Sequence, residues 1–304
     1  MILVFGSLNA DLVFQVRVLP RPGETVLCPG YVLAPGGKGA NQAAAAAKAG
    51  ASVRMVGHVG DDSFGSFLRG VLVEAGVDCT GVADSDKATG IAVIGVESGG
   101  ENQIMVGSGA NLATHASQVD DAALVPGLTV LCQNEVDPEA TFALLQRARR
   151  RGVRTILNLA PAAPVPAPVL DAIDVLVVNE IEAAMAAGEG GVGDARALAQ
   201  GLATRHDLTC VVTLGAEGAI AVGPGGNFRI GPLAIDPVDT TGAGDAFVGV
   251  LAAALDQGRT LPEALRRASV AAGLACTRLG AQTSPRVAEI EARLADLAPA
   301  TPLD

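Results

Sequence analysis

Tryptophan is absent from this 304-residue chain, tyrosine occurs once and phenylalanine seven times, which leaves little aromatic surface on which a base could stack. Basic residues are also in short supply, 21 Lys and Arg against 32 Asp and Glu for a net charge of −11. The only basic run, Arg147-Ala-Arg149-Arg150-Arg151, ends a predicted helix, where cations suit the dipole and the charged heads reach water. Nucleic acid is therefore not an expected partner. The five cysteines, Cys28, Cys79, Cys132, Cys210 and Cys276, show neither disulfide nor zinc spacing and several lie in apolar runs, so they read as thiols of a reducing cytoplasm. No long hydrophobic run exists. The stretch Ile2 to Phe5 is too short for a signal or membrane segment and no basic region precedes it, so neither export nor a membrane partner is expected.

What the chain does have is apolar residues, 49% of the total. They recur as short continuous runs, Val130-Leu-Cys132, Arg154-Thr-Ile-Leu157, Val175-Leu-Val-Val178 and Cys210-Val-Val-Thr213. That pattern belongs to strands covered on both faces. Helical segments Thr141 to Arg151, Ala195 to Arg205 and Leu261 to Thr277 alternate with them. The expected fold is α/β, a single domain over 1–304 built as a three-layer α/β/α sandwich with a mostly parallel central sheet. Two pieces break this rhythm, about 12–33 and 89–106, with turns at Pro20-Arg-Pro-Gly23 and Ser98-Gly-Gly-Glu101. They are expected to pair as a small antiparallel sheet serving as a lid. Because such a sheet leaves one apolar face uncovered, a homodimer through the lid is expected.

Chemistry concentrates in two glycine loops. Asp239-Thr-Thr-Gly-Ala-Gly-Asp245 precedes the alanine-rich run Phe247 to Leu255, which reads as a helix. The free amides and dipole at a helix start hold anionic oxygens, and glycine lets the backbone approach them. Gly242, Ala243 and Gly244 would supply amides, and Asp245 would stand ready to take a proton from an attacking hydroxyl. The second loop, Gly36-Gly37-Lys38-Gly39-Ala-Asn41-Gln42, opens a predicted helix Ala40 to Ala49. It is not a Walker A loop, since Gly39 rather than Ser or Thr follows Lys38. Two such loops in opposite halves of one chain fit two ligands that meet.

Together with Gly6-Ser-Leu-Asn9-Ala-Asp11, Gly60-Asp-Asp-Ser63, Gly109-Ala-Asn111, Asn179-Glu-Ile-Glu182 and Thr213-Leu-Gly-Ala-Glu-Gly218, the loops occur in the order found in carbohydrate kinases of the ribokinase (PfkB) family, and the chain resembles that family over nearly its whole length. The resemblance implies a ribokinase-like sandwich with a β lid that uses ATP, Mg²⁺ and an activating monovalent cation, K⁺. By similarity Asn9, Asp11, Gly37, Lys38, Asn41, Glu135 and Asp245 match sugar-holding positions. Asn179, Thr213, Leu214, Gly215, Ala216, Glu217, Gly218 and Gly244 match nucleotide positions. Glu182 matches a contact to hydrated magnesium, and Asp239, Thr241, Ala275, Arg278, Gly280 and Ser284 match a monovalent-cation loop acting mainly through backbone carbonyls. Ser269 departs from the family where a histidine can stand near the adenine. Three carboxylates and one lysine around the acceptor disfavour a sugar phosphate. The expected acceptor is a neutral sugar phosphorylated on a primary hydroxyl, the 5-hydroxyl of ribose foremost. Deoxyribose, a ketohexose or a nucleoside are alternatives, and a non-catalytic sugar sensor is the reading from another class.

Overall fold

The computed structural model describes residues 1–97, 99, 101–188 and 193–303; Ser98 and Gly100 of the expected turn lie outside them. A ten-stranded sheet runs in spatial order Thr301–Pro302, Phe228–Ile230, Ala219–Val222, Thr209–Thr213, Val175–Asn179, Arg154–Asn158, Thr129–Cys132, Ile2–Phe5, Val53–Gly60 and Asp78–Ser85. The seven strands from Thr209–Thr213 onward are parallel, and the remaining three continue the sheet antiparallel. Each apolar run divides its side chains between two cores. Ile2, Val4, Val175, Val177 and Val211 face one, while Leu3, Phe5, Leu176, Val178, Cys210 and Val212 face the other. Successive strand side chains point to opposite faces, so a strand with helices on both sides has no position left for a polar residue except at its ends.

The lid is a separate four-stranded sheet, ordered Tyr31–Gly36, Asn9–Val16, Gly90–Glu97, Asn102–Gly107. It differs from the sequence expectation in two respects. Its central pair, Asn9–Val16 with Gly90–Glu97, is parallel and only the outer pairs are antiparallel. The chain between the two central strands passes through the body, by helix Lys38–Lys48, strand Val53–Gly60, helix Ser63–Glu74 and strand Asp78–Ser85. A crossover that long can return in the same direction, which a hairpin cannot. The lid also begins at Asn9 and its second strand ends at Gly36, so Asn9 and Asp11 lie within its root rather than before it.

The run Arg147 to Arg151 is not simply solvated. Arg147 donates to the carbonyls of Ala116 and Val119 and to Asp121, Arg151 donates to the Leu124 carbonyl, and Arg149 pairs with Asp174. Helix Pro138–Arg150 is thereby tied to the 116–124 segment. Cys132 and Cys210 are fully buried, and burial pushes the Cys210 thiol up to about 12. Cys28, Cys79 and Cys276 are only half-buried, and all five are free thiols.

Two helices organise everything that follows. Lys38–Lys48 starts at Gly37, with φ of 86°, and Ala243–Asp256 starts at Gly242, with φ of 75°. Both starting residues occupy backbone space that side chains other than glycine rarely enter. The helices run parallel and in contact: Gln42 reaches Asp245 near their starts, Gln257 reaches the Ala49 carbonyl at their ends, and a Cβ on Gly249 would lie 2.5 Å from the Gln42 carbonyl oxygen and 2.6 Å from the Ala45 Cβ. Alanine and glycine on the facing sides permit this approach. Its consequence is that two helix N-termini, each with unsatisfied amides and a positive dipole end, open side by side.

Candidate active site

Asp245 lies in the first turn of its helix and is buried at 7% exposure. Its carboxylate accepts from Asn41 Nδ2 at 2.9 Å and from Gln42 Nε2 at 2.8 Å, so both helices contribute to one centre. Asn41 Oδ1 is buried without a partner among the described residues, an acceptor left open on the side chain that donates to Asp245. The amide of Ala243 donates to the Thr240 carbonyl at 3.2 Å. For this amide, a role in holding an anion requires that long bond to open; Gly242 and Gly244 carry no such engagement to the turn.

The sugar-side residues converge from three elements. Asp11, on the first lid strand, is half-buried with its carboxylate laid over Gly36, where a Cβ would stand 2.2 Å from Oδ2. Burial, then the charges of Glu135 and Asp245, raise its pKa to about 7. Asn9 is fixed by Asn111, whose Nδ2 donates to Asn9 Oδ1 at 2.7 Å while its Oδ1 accepts from the Leu8 amide. Glu135 Oε2 accepts from Ser7 Oγ at 2.6 Å and from the Lys38 amide at 2.9 Å. It therefore caps the first helix as well as facing the site, since an anion at a helix start satisfies an otherwise orphaned amide. Gly37 approaches Asn9 closely enough that a Cβ would meet the Asn9 nitrogen at 2.7 Å. Burial lowers the pKa of Lys38, but Asp245, Glu135 and Glu182 together outweigh it and raise the ammonium above its ordinary value.

A cavity of about 170 Å³ lined by Lys38, Asn158, Asn179, Glu182, Thr213, Gly242, Gly244 and Asp245 opens into a second of about 660 Å³, with Thr213 and Gly244 lining both. The larger cavity is apolar, walled by Leu233, Ile235, Phe247 and Ala272, and receives Gly215, Ala216 and Gly218 from the nucleotide motif. Leu214 and Glu217 do not join them. Leu214 packs against the core and Glu217 points outward to Arg229 at 3.6 Å, while only Gly215, Ala216 and Gly218 of this tight turn between antiparallel strands border the cavity. Ser269 lines this cavity and donates to the Gly231 carbonyl at 2.7 Å.

Asn179 and Glu182 form a reciprocal capping box: each side chain accepts from the other's amide at 2.8 Å. Glu182 is nevertheless 7% exposed and borders the smaller cavity, with its pKa raised by burial. Among the described residues no cluster of three His, Cys, Asp or Glu could hold a metal by itself. This donor set fits a hydrated magnesium ion held mainly by phosphate oxygens, because that ion keeps much of its water. In the other loop pair, Asp239 accepts from the amides of Thr241 and Gly280, both at 2.9 Å, and makes no ion pair among the described residues. A half-buried carboxylate beside free-running backbone fits a weakly hydrated monovalent cation. The Asp239 amide donates to the carbonyl of Cys276, next in the chain to Ala275, and Ser284 is buried, but the Arg278 side chain pairs with Glu289; only its backbone remains available.

Four polar residues at the site were not singled out in the sequence: Gln42, Asn111, Gln133 and Asn158. Asn158 ends a parallel strand, as Asn179 does, and polar residues at carboxyl ends of such strands are a usable signal. Gln133 directly follows the fully buried strand Thr129–Cys132. Nothing local marked Gln42 within an alanine-rich helix.

The family model for pfkB family carbohydrate kinases matches residues 1–288. The ribokinase of Haemophilus influenzae is 36% identical over 289 residues, covering 92% of this chain and 94% of that protein. Among solved structures, the ribokinase of Thermotoga maritima superposes with a TM-score of 0.89 at 32% identity, covering 97% and 99% of the two chains. The Arabidopsis thaliana ribokinase complexed with ribose and ATP superposes with a TM-score of 0.86 at 31% identity, covering 96% and 98%.

Proposed function

Because this chain belongs to the pfkB family of carbohydrate kinases, we propose that it transfers the γ-phosphoryl group of ATP to the 5-hydroxyl of D-ribose, giving D-ribose 5-phosphate and ADP. The observation that carries the proposal is the convergence of two glycine-started helices on one carboxylate, Asp245, at the junction of a polar and an apolar cavity. The apolar cavity takes the nucleoside of ATP, and the polar end takes the phosphates. Asp245 accepts the proton of the sugar hydroxyl as that oxygen bonds to the γ-phosphorus, and the bond from phosphorus to the bridging oxygen of ADP breaks. Amides at the start of helix Ala243–Asp256, with Lys38, stabilise charge on the transferred group. Glu182 would hold hydrated magnesium, which when bound neutralises phosphate charge. Backbone of the 239–241 and 275–284 segments would hold potassium and stiffen the anion-binding turn.

Asn9, Asp11, Asn41 and Glu135 hold the sugar hydroxyls. Asp11, Glu135 and Asp245 against Lys38 leave an excess of negative charge, which disfavours a sugar phosphate as acceptor and helps expel it as product. The lid roots the sugar site and, on the face opposite to Asp11, exposes Tyr31, Leu33 and Met105. Pairing of two chains through this face is the proposed assembly, read out by sedimentation velocity as two chains that Met105→Glu converts to one.

Release of ADP from MgATP should be fastest with D-ribose among ribose, deoxyribose, fructose, adenosine and no acceptor, and should fall when potassium is replaced by a large organic cation. A faster rate with another acceptor would displace ribose; ATP binding without turnover on any acceptor would favour the sensor reading. No helix among the described residues is long and apolar enough to cross a membrane.

The raised pKa of Asp11 has a measurable consequence. As a carboxylate it accepts from sugar hydroxyls, and below about pH 7 it is increasingly protonated in the folded protein. The KM for ribose should rise roughly tenfold from pH 8 to pH 6, following the fall in the ionised fraction. For stability the sign is opposite. The folded protein binds this proton more tightly than the unfolded chain, so stability falls as pH rises from about the unfolded carboxylate value to about 7. Asp11→Asn should therefore melt above the wild type at pH 8, with the gap closing toward pH 4, while its ribose KM rises. A variant that melts lower at pH 8 would contradict the assignment.

A further inference from the structure

A line of side-chain amides leads from Asp245 into the protein, and its first member, Gln42, borders neither cavity. Gln42, with no solvent exposure, donates through one nitrogen to Asp245 Oδ1 and to Asn158 Oδ1, both at 2.8 Å. Both of its N–H bonds are thereby used. Its carbonyl oxygen accepts from Gln133 Nε2 at 2.7 Å, and Gln133 is also fully buried. Asn158 Nδ2 donates to the backbone carbonyl of Val177 at 3.1 Å. That last bond sets the direction of the whole line. A backbone carbonyl can only accept, so Asn158 must turn its oxygen toward Gln42, and Gln42 must then turn its nitrogen toward both Asn158 and Asp245. A flipped Gln42 would set its oxygen against two acceptors and its nitrogen against the donor nitrogen of Gln133.

We propose that Gln42, oriented by Asn158 and Gln133, is a positioning residue that fixes the carboxylate of Asp245 for proton transfer; this rests on the kinase reading given above. The carboxylate is gripped at both oxygens, Oδ1 by Gln42 and Oδ2 by Asn41. Asn41 belongs to the sugar set and keeps a buried oxygen with no partner among the described residues, so its grip changes when sugar binds. Gln42 is fully buried, borders neither cavity and reaches the cleft only through Asp245 and Asn158, so its grip is the constant one.

The test is steady-state phosphorylation of ribose by the full-length wild type and by Gln42→Leu and Gln42→Glu, each over pH 5.5 to 9, with folding checked by melting temperature. Gln42→Leu should lose roughly 10–100-fold in kcat with ribose and ATP KM values within about threefold, since a misplaced base loses rate while uniform binding persists. Gln42→Glu should show the distinguishing signature. Its introduced carboxyl can donate to Asp245 only while protonated and repels it once ionised, so kcat should fall as pH rises, opposite to the wild type. A merely structural role would lower the melting temperature of both variants without reversing the pH dependence. If the wild type phosphorylates ribose but Gln42→Leu stays within threefold in kcat, or Gln42→Glu keeps the wild-type pH profile, the positioning role is wrong. If the wild type phosphorylates no acceptor, the kinase reading fails and takes this one with it.

Discussion

Asp245→Asn should lower kcat for ribose by about 10²-fold or more, in the range for loss of a general base, while ATP affinity changes little. The substitution preserves shape and removes only the ability to accept a proton. It also disturbs the donors around it. Asn41 and Gln42 both present N–H groups to the present carboxylate, and an amide at position 245 must turn its own nitrogen toward one of them. That unmatched contact, in a residue 7% exposed, should cost about 1–3 kcal/mol of stability and appear as a lower melting temperature. ADP-release kinetics at saturating ribose and nucleotide titration by calorimetry separate the two effects. Turnover within threefold of wild type would remove Asp245 from the role of base. Loss of ATP binding equal to the loss of turnover would instead make the residue part of nucleotide binding.

The second large effect is expected from Gly249, which touches no ligand. An added Cβ would meet the Gln42 carbonyl oxygen at 2.5 Å, the Ala45 Cβ at 2.6 Å and the Ala46 nitrogen at 3.0 Å. Two of these three are backbone atoms and cannot rotate away. Gly249→Ala must therefore push helix Ala243–Asp256 from helix Lys38–Lys48. The overpacking should cost about 1–3 kcal/mol, offset in part by the higher helix propensity of alanine. The more telling loss is catalytic. The same two helices carry Asp245 on one side and Asn41 and Gln42 on the other, and a shift near 1 Å between them can cost about 10²-fold in rate. Chemical denaturation and kcat on one preparation check both expectations. Normal turnover in a destabilised Gly249→Ala would mean that the helices recover their spacing near the cleft, and the close approach at Gly249 would then matter only for folding.

Much of the site was legible before any coordinates because its parts lie in short local patterns. A glycine before a run of alanines announces a helix start with free amides, and a carboxylate within that first turn has few structural reasons to be there. The strands were legible because burial on both faces leaves a continuous apolar run. The lid was harder to read. Its strands alternate in the ordinary way, but nothing within Asn9–Val16 reveals that its neighbour is Gly90–Glu97 running parallel, since pairing direction depends on the path of the intervening chain. Leu214 and Glu217 share a motif with residues that border the cavity because a motif is contiguous in sequence, whereas a tight turn sends some of its residues to the core and others to solvent.

By itself the sequence determined which residues could do chemistry, the regions of the main strands and of several helices, and that the sheet would be covered on both faces. All of these follow from interactions between residues a few positions apart. The tertiary structure alone decided that the helix starting at Gly37 and the helix starting at Gly242, some two hundred positions apart, open onto the same carboxylate. It also decided that Gln42, Gln133 and Asn158 stand in line behind that carboxylate. The orientation of a buried amide depends on donors and acceptors brought from other strands, and no local pattern records which ones will arrive.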